Sequence, residues 1–405
     1  MESDHHTVHT LMASSGPPVR TLDTTVGLTN MGNTCFLNAV LQALMRCASI
    51  GPLFLLGDIP VREASTKREM VVAFTTLMRD FWAVEPPPPG SLQRPSMMPG
   101  GFLQSLYRIL HETGDDWHRR GQQSDAPEAL QHILEYLHDG MHRSVTMEFS
   151  GPAETEAQRS QMAALRSWGQ YYGKEYSEII REFQGQTRIL IRCEECGNQT
   201  EGFEPYMMVK APIPGAVLGS GTAPTLLQCL EEGYAPETIP DYVCTPCGKR
   251  TRAVKRESLS RVPPVTLVSL KRFINIPRPP FGYDIRKVRG RIVWDLDAFD
   301  IAPWKAFERD PFTGLADPSV LTTMAIIEHW GTLQGGHYRM FARTSTGWIC
   351  CDDSSVTSVP QSDVLTEDSY VAFMVPRHKV QAQMRLFEGA VTTLRSGGRT
   401  VPSAV

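Results

Sequence analysis

Long apolar runs are missing from this chain: no stretch approaches the roughly 18 consecutive apolar residues needed to span a bilayer. The opening residues, Met1 to Pro17, are polar and histidine-bearing, without the basic start and apolar run of a secretory signal. An intracellular protein, cytoplasmic or nuclear and without membrane contact, is expected. An excess of one charge is missing too. With 40 Lys and Arg against 44 Asp and Glu, the net charge of −4 creates no overall field that would favour nucleic acid or an anionic surface. A basic peptide suits it better. Nine cysteines are an odd set for a disulfide framework, and in a reducing compartment such cysteines are expected to be free, catalytic or metal-bound. No internal repeat is visible.

What is present, over 405 residues, suffices for one large or two ordinary domains with a sizeable core. Residues 1–25 and 377–405 read as a flexible leader and a flexible tail, leaving a working domain over 26–376. From Phe36 to Met45, apolar residues recur at Phe36, Leu37, Val40, Leu41 and Leu44, the spacing of a helix with one buried face. The proline run within Val84–Gly90 reads as a stiff surface connection, and Phe102–His111 as helix again. A further helix is signalled by Asp125-Ala126-Pro127-Glu128, a cap residue followed by a first-turn proline and a carboxylate. Beyond Ile189 the patterns are those of strands, among them Val265–Leu270, Thr323–Ile327 and Tyr370–Val375. Helices followed by sheet predict an α+β fold with a cleft between two lobes.

Two Cys-x-x-Cys-Gly knuckles, Cys193/Cys196 and Cys244/Cys247, bring four thiolates to what reads as one closed, structural Zn²⁺ site. The long span between them is expected to form an excursion tied at its base by the metal. The zinc-tied region as a whole is expected over about 188–260.

A second constellation carries chemistry. Cys35 opens the first apolar helix after a loop containing Asn30, Gly32 and Asn33, where the helix N-terminus is expected to favour the nucleophilic thiolate. Amides such as Asn30 could hold a developing oxyanion. Gly335-Gly336-His337-Tyr338 delivers a histidine to an alternating strand, and Trp348-Ile349-Cys350-Cys351-Asp352-Asp353 follows closely enough to form a hairpin with it. One of the two aspartates, not both, can orient the imidazole, because successive strand residues face opposite ways.

With these residues in hand, the chain resembles the ubiquitin-specific protease family of deubiquitinases. Gly27–Leu44 looks like that family's cysteine box, and Gly336-His337-Tyr338 with Trp348 and Asp352-Asp353 looks like its histidine box. Pro264–Phe273 is similar to its palm strand, and the two knuckles to its zinc-tied fingers. The resemblance covers about Val26 to Val375. It implies a papain-like fold of helical thumb, strand-rich palm and fingers, with Cys35 as nucleophile, His337 as base and Asp352 as orienter. Asn30 becomes the oxyanion amide and Asp353 a polar helper, while His329-Trp330-Gly331 reads as structural. Gln123-Ser124-Asp125-Ala126-Pro127-Glu128 departs from the family's Gln-Gln-Asp-Ala pattern, yet keeps Asp125 and Glu128, which match acids that in the family face ubiquitin's Arg-bearing tail. Gly335, Gly336 and Tyr338 complete the implied substrate contacts. The expected function is hydrolysis after the terminal glycine of ubiquitin through a thioester, by a monomer holding one zinc, with ubiquitin or its conjugates as partners. Rival readings are a protease for another ubiquitin-like modifier, an inactive ubiquitin-binding scaffold and a general endopeptidase.

Overall fold

A computed structural model describes residues 26–397, apart from 58, 63–64, 86–94, 216–222, 279, 281, 317 and 333–334. The expected leader and the proline run of the 84–90 connection lie outside the described residues.

The first half is helical. Strand β1 (Gly27–Leu28) leads to α1 (Cys35–Met45), α2 (Gly51–Leu56) and α3 (Arg68–Ala83), then β2 (Ser96–Met97), α4 (Gly100–Thr113), α5 (Ala126–Met141), α6 (Glu156–Tyr172) and α7 (Glu178–Phe183). The rest is strand-rich, as the sequence predicts: β3 (Gly185–Cys193), β4 (Gln199–Tyr206), β5 (Met208–Pro212), helix α8 (Leu226–Gly233), β6 (Glu237–Cys244), β7 (Lys249–Arg261), β8 (Thr266–Lys271), β9 (Phe273–Pro277) and β10 (Tyr283–Lys287). There follow β11 (Phe299–Asp300), β12 (Val320–Thr332), β13 (Gly335–Arg343), β14 (Trp348–Asp352), β15 (Ser355–Val359), β16 (Ser369–Pro376) and a closing helix α9 (Arg377–Arg395).

An eight-stranded sheet, ordered β15-β14-β13-β12-β16-β8-β5 with β11 on β12, is the platform of the fold. Its strands alternate as a period of two requires. Ala325, Ile327, Met340, Val371 and Phe373 join the core of the helical lobe, whereas Ile326, Phe341, Ala372 and Met374 join a second core that includes Leu226 and Leu230 of α8. Burial on both faces explains why these strands read as nearly continuous apolar runs. Arg272, fully buried after β8, donates to the carbonyls of Ser369 (2.6 Å), Val288 (3.0 Å) and Gly290 (3.1 Å), fastening that end of the sheet.

Three expectations are corrected. Helix α1 has no exposed face: it packs between β13 and α5, and every residue from Cys35 to Met45 is buried. Its polar residues turn inward to backbone, Asn38 Nδ2 donating to Leu28 O (3.3 Å) and Gln42 Nε2 to Val26 O (3.1 Å). The tail 377–405 is not simply a flexible extension, because 377–395 form α9. Phe387, Ala390 and Val391 are buried, the Phe387 ring meets Trp82 edge-on at 5.0 Å, and Arg395 Nε donates to Trp82 O at 2.9 Å. The chain between the knuckles is not an excursion either, since it returns to the large sheet as β5 and α8 before β6 begins. The knuckles instead cap two hairpins of a four-stranded antiparallel sheet, β4-β3-β7-β6. Among the described residues no helix is long and apolar enough to cross a membrane.

Candidate active site

The loop before α1 is wound by its own polar side chains. Asn30 Oδ1 accepts the N–H groups of Gly32 (3.0 Å) and Thr34 (3.2 Å), and Thr34 Oγ1 accepts that of Met31 (2.9 Å). Gly32 and Asn33 take left-handed φ values of 98° and 56°, a turn that glycine and asparagine tolerate best. Asn33 Nδ2 then reaches Gly121 O at 2.8 Å, joining this loop to the one before α5. Cys35 emerges as the first residue of α1, 2% exposed. Burial pushes its thiol above the ordinary value and the Asp353 carboxylate adds to this, against the backbone N–H groups of Tyr338, Phe36 and Cys35 itself. The expected favouring of the thiolate by the helix terminus is therefore outweighed: taking the sulfur out of water costs the charged form more than the first-turn N–H groups return.

The two aspartates separate as the strand argument requires. His337 on β13 brings Nε2 to 2.5 Å from Asp352 Oδ1 at the end of β14. Asp353, with a left-handed φ of 47°, turns toward the cysteine loop. Its Oδ2 accepts from Asn30 Nδ2 (2.9 Å), its Oδ1 from Asn38 Nδ2 (2.7 Å) and its carbonyl from Leu28 N–H (2.8 Å). Asp353 thus knots together the entering strand, the loop and α1. The Tyr338 N–H, one residue beyond His337, faces the Cys35 sulfur.

Other predicted contacts line the adjoining cleft. A cavity of about 520 Å³ is bounded by Gln123, Asp125, Lys210, Phe273, Tyr338 and Tyr370. Asp125 precedes α5 with extended backbone, but its carboxylate does not cap the helix side-on; it accepts the hydroxyls of Tyr338 (3.1 Å) and Tyr370 (3.0 Å). Burial raises its pKa, with both hydroxyls opposing. Glu128 sits exposed in the first turn of α5. Gly335 has open space where a side chain would be, whereas a Cβ on Gly336 would lie 2.3 Å from His329 Nε2. Buried His329 lies tilted against the Tyr338 ring at 4.5 Å and is pushed down to about 4 by burial, with Lys287 adding to the effect; it is held neutral. Asn38 and Tyr370 were not singled out in the sequence. Only a polar residue on an otherwise apolar helix stripe hinted at the first, and nothing marked the second.

The four knuckle cysteines converge, their sulfurs all within 4.8 Å of one another. Cys193 and Cys247 are 3.8 Å apart, Cys196 and Cys244 3.6 Å. A tetrahedral zinc with Zn–S bonds of about 2.3 Å sets its sulfurs about 3.8 Å apart, so the set fits one such ion. A disulfide needs about 2.05 Å. Gly197 and Gly248 have φ of 70° and 64°, the left-handed turns that fold each knuckle.

A family model described as ubiquitin carboxyl-terminal hydrolase matches residues 26–374. The chain belongs to that family. Among its relatives, ubiquitin carboxyl-terminal hydrolase 21 of Mus musculus is 28% identical over 392 residues, covering 90% of this chain and 62% of that protein. Ubiquitin carboxyl-terminal hydrolase 2 of Homo sapiens is 27% identical over 359 residues, covering 86% and 54%. The chain therefore spans less than two thirds of the length of these relatives. A chain of the SAGA Ubp8/Sgf11/Sus1/Sgf73 DUB module bound to ubiquitin aldehyde superposes with a TM-score of 0.61 at 20% identity, covering 89% of this chain and 71% of that one. The two share the α+β fold.

Proposed function

We propose that this chain is a deubiquitinase, a cysteine peptidase that hydrolyses the bond after the C-terminal glycine of ubiquitin. The observation that carries the reading is the His337–Asp352 pair, set one residue from the backbone N–H that meets the Cys35 sulfur at the head of α1. With Nε2 engaged by Asp352, Nδ1 of His337 is the nitrogen left to take the thiol proton. Sulfur then attacks the glycine carbonyl carbon, and the oxyanion is held by first-turn N–H groups and the second amide hydrogen of Asn30. As the intermediate collapses, the C–N bond breaks and His337 returns the proton to the leaving lysine amine. A water molecule, giving its proton to His337, cleaves the thioester, releasing the ubiquitin carboxylate and restoring the thiol. The raised Cys35 pKa supports a thiol that rests protonated and gives up its proton as the sulfur attacks.

Of the two acids expected to meet an arginine-bearing tail, Glu128 is the one whose carboxylate is open, Asp125 being engaged by two tyrosines. The 520 Å³ cavity leading past Tyr338 suits a narrow tail. One zinc held by Cys193, Cys196, Cys244 and Cys247 supplies no chemistry in this scheme; it ties the tips of two hairpins. Nine cysteines, none in a disulfide and four of them assigned to zinc, support a reducing compartment, cytoplasmic or nuclear.

The test is covalent capture. Ubiquitin carrying a C-terminal electrophile labels the wild-type chain at Cys35 and fails to label Cys35→Ala; in a parallel panel, other ubiquitin-like modifiers react more slowly. Labelling by a different modifier alone, or none by any, refutes the assignment.

A further inference from the structure

His337 is gripped on both flanks by one short stretch of the opposite lobe. The residue before it, Gly336, gives its N–H to Gln123 Oε1 (3.2 Å) and receives Gln123 Nε2 at its carbonyl (2.8 Å). The residue after it, Tyr338, donates its hydroxyl to Asp125 (3.1 Å). The Gln123 carboxamide carries one acceptor and paired donors on a planar frame, and so can satisfy both polar groups of a backbone segment as a neighbouring strand would. It reads the main chain of residue 336.

That main chain needs an outside hold. Two consecutive glycines open β13, and glycine loses more conformational freedom on ordering than any other residue. On the β12 side the register is Gly331 against Gly336 and Thr332 against Gly335, so three of the four residues in these closing pairs beside the base lack a side chain to pack. A side chain at 336 is excluded by His329 and by Trp330 O, 2.6 Å from the Cβ position. The β12 ladder and the close approach of His329 hold one side of this corner, and the Gln123 hydrogen bonds from the helical lobe hold the other.

We propose that Gln123 is a positioning residue for the base: by pairing with the backbone of Gly336 it fixes the direction in which His337 leaves β13, and so its aim at Cys35. Gln123 touches neither the sulfur nor the imidazole. The activity assay below rests on the deubiquitinase reading; the alkylation assay does not.

Two variants of the full chain separate this role from substrate binding and from stability. Gln123 is exposed, so neither is expected to disturb folding. With a fluorogenic ubiquitin C-terminal amide, Gln123→Ala lowers kcat about tenfold, the scale of a small misalignment, with KM within about twofold and the melting temperature unmoved. Gln123→Glu is the sharper variant. Its carboxylate still accepts the Gly336 N–H but repels the Gly336 carbonyl, whereas its protonated form regains a donor. The ratio of its kcat to that of wild type therefore rises as pH falls from 8 toward the carboxyl range near about 4.3. Alkylation of Cys35 by iodoacetamide, which needs no ubiquitin, is slower in Gln123→Ala than in wild type. A loss confined to KM, a melting shift that accounts for the lost activity, a pH-independent ratio, or unchanged alkylation would overturn the proposal. Wild-type protein inert toward ubiquitin, with the alkylation difference intact, would instead remove the deubiquitinase reading and leave the positioning role.

Discussion

Replacing Asp353 by asparagine pulls two properties of the site in opposite directions. The carboxylate raises the Cys35 pKa, second to burial in that direction, so the neutral amide lets the pKa fall. At neutral pH a larger fraction is then thiolate, and iodoacetamide alkylates Cys35 faster. The same change loosens the knot. An asparagine oxygen can keep the bond to buried Asn38 (2.7 Å), but its NH₂ then faces the Asn30 amide nitrogen, formerly 2.9 Å from a carboxylate oxygen. Asn30 cannot turn over to compensate, because its own oxygen holds the N–H groups of Gly32 and Thr34. One charge-assisted bond is lost and another becomes neutral, a destabilisation of about 1.5–3 kcal/mol, toward the lower end because Asn30 is exposed. Asp353→Asn is thus expected to alkylate faster yet to turn over ubiquitin substrate more slowly, the loop that holds Asn30 having lost its anchor. The assays are the pH profile of Cys35 alkylation, urea unfolding and hydrolysis of a ubiquitin amide. A Cys35 midpoint that stays or rises, or an unfolding free energy equal to wild type, refutes the reasoning.

Metal analysis of the purified chain is expected to return one zinc per molecule, and Cys196→Ser to reduce it while lowering the melting temperature; protein that folds and melts normally without metal contradicts a structural ion. Phe387→Ala, removing a ring that is 1% exposed and seated on Trp82, is expected to cost about 3–5 kcal/mol in urea unfolding while the folded fraction still reacts at Cys35. A loss under about 1 kcal/mol would mean that α9 contributes little to the core.

The chemistry-bearing pieces were legible because each rests on a local signal. Cysteine at a helix head, a diglycine before histidine, aspartates at the end of the next strand and two glycine-closed knuckles are all recognisable within about ten residues. The alternation rule allows only one of Asp352 and Asp353 to meet the imidazole, and the family resemblance points to Asp352. What was not legible depended on long-range packing. The tail hid a helix because its apolar residues, Val380, Met384, Phe387, Val391 and Leu394, are spread through a polar stretch. Their spacing is helical, but the stripe meets its partners, α2 and α3 with Trp82 and the strands β12 and β16, only in the folded chain. Burial of the Cys35 sulfur, which reverses the expected direction of its pKa, follows from a helix enclosed on all sides, and a one-faced apolar pattern did not announce that. Asp125, expected to face substrate, meets two tyrosines that lie more than two hundred residues away in sequence.

The proposed nucleophile, Cys35, and its proposed base, His337, stand on different lobes, and two kinds of force align their elements. Packing sets the coarse position: α1 lies on β13, with Cys35, Tyr338 and Met340 in one core. The fine aim comes from side-chain hydrogen bonds that cross between the lobes, namely Asp353 to Asn30 and Asn38, Gln123 to Gly336, and Asp125 to Tyr338 and Tyr370. Each contributes about 1 kcal/mol to folding, more where a carboxylate accepts. A displacement of about 1 Å at the reacting atoms can nevertheless cost up to about a hundredfold in rate. Substitutions among these crossing residues should therefore alter kcat far more than melting temperature, whereas substitutions in the shared core should do the reverse.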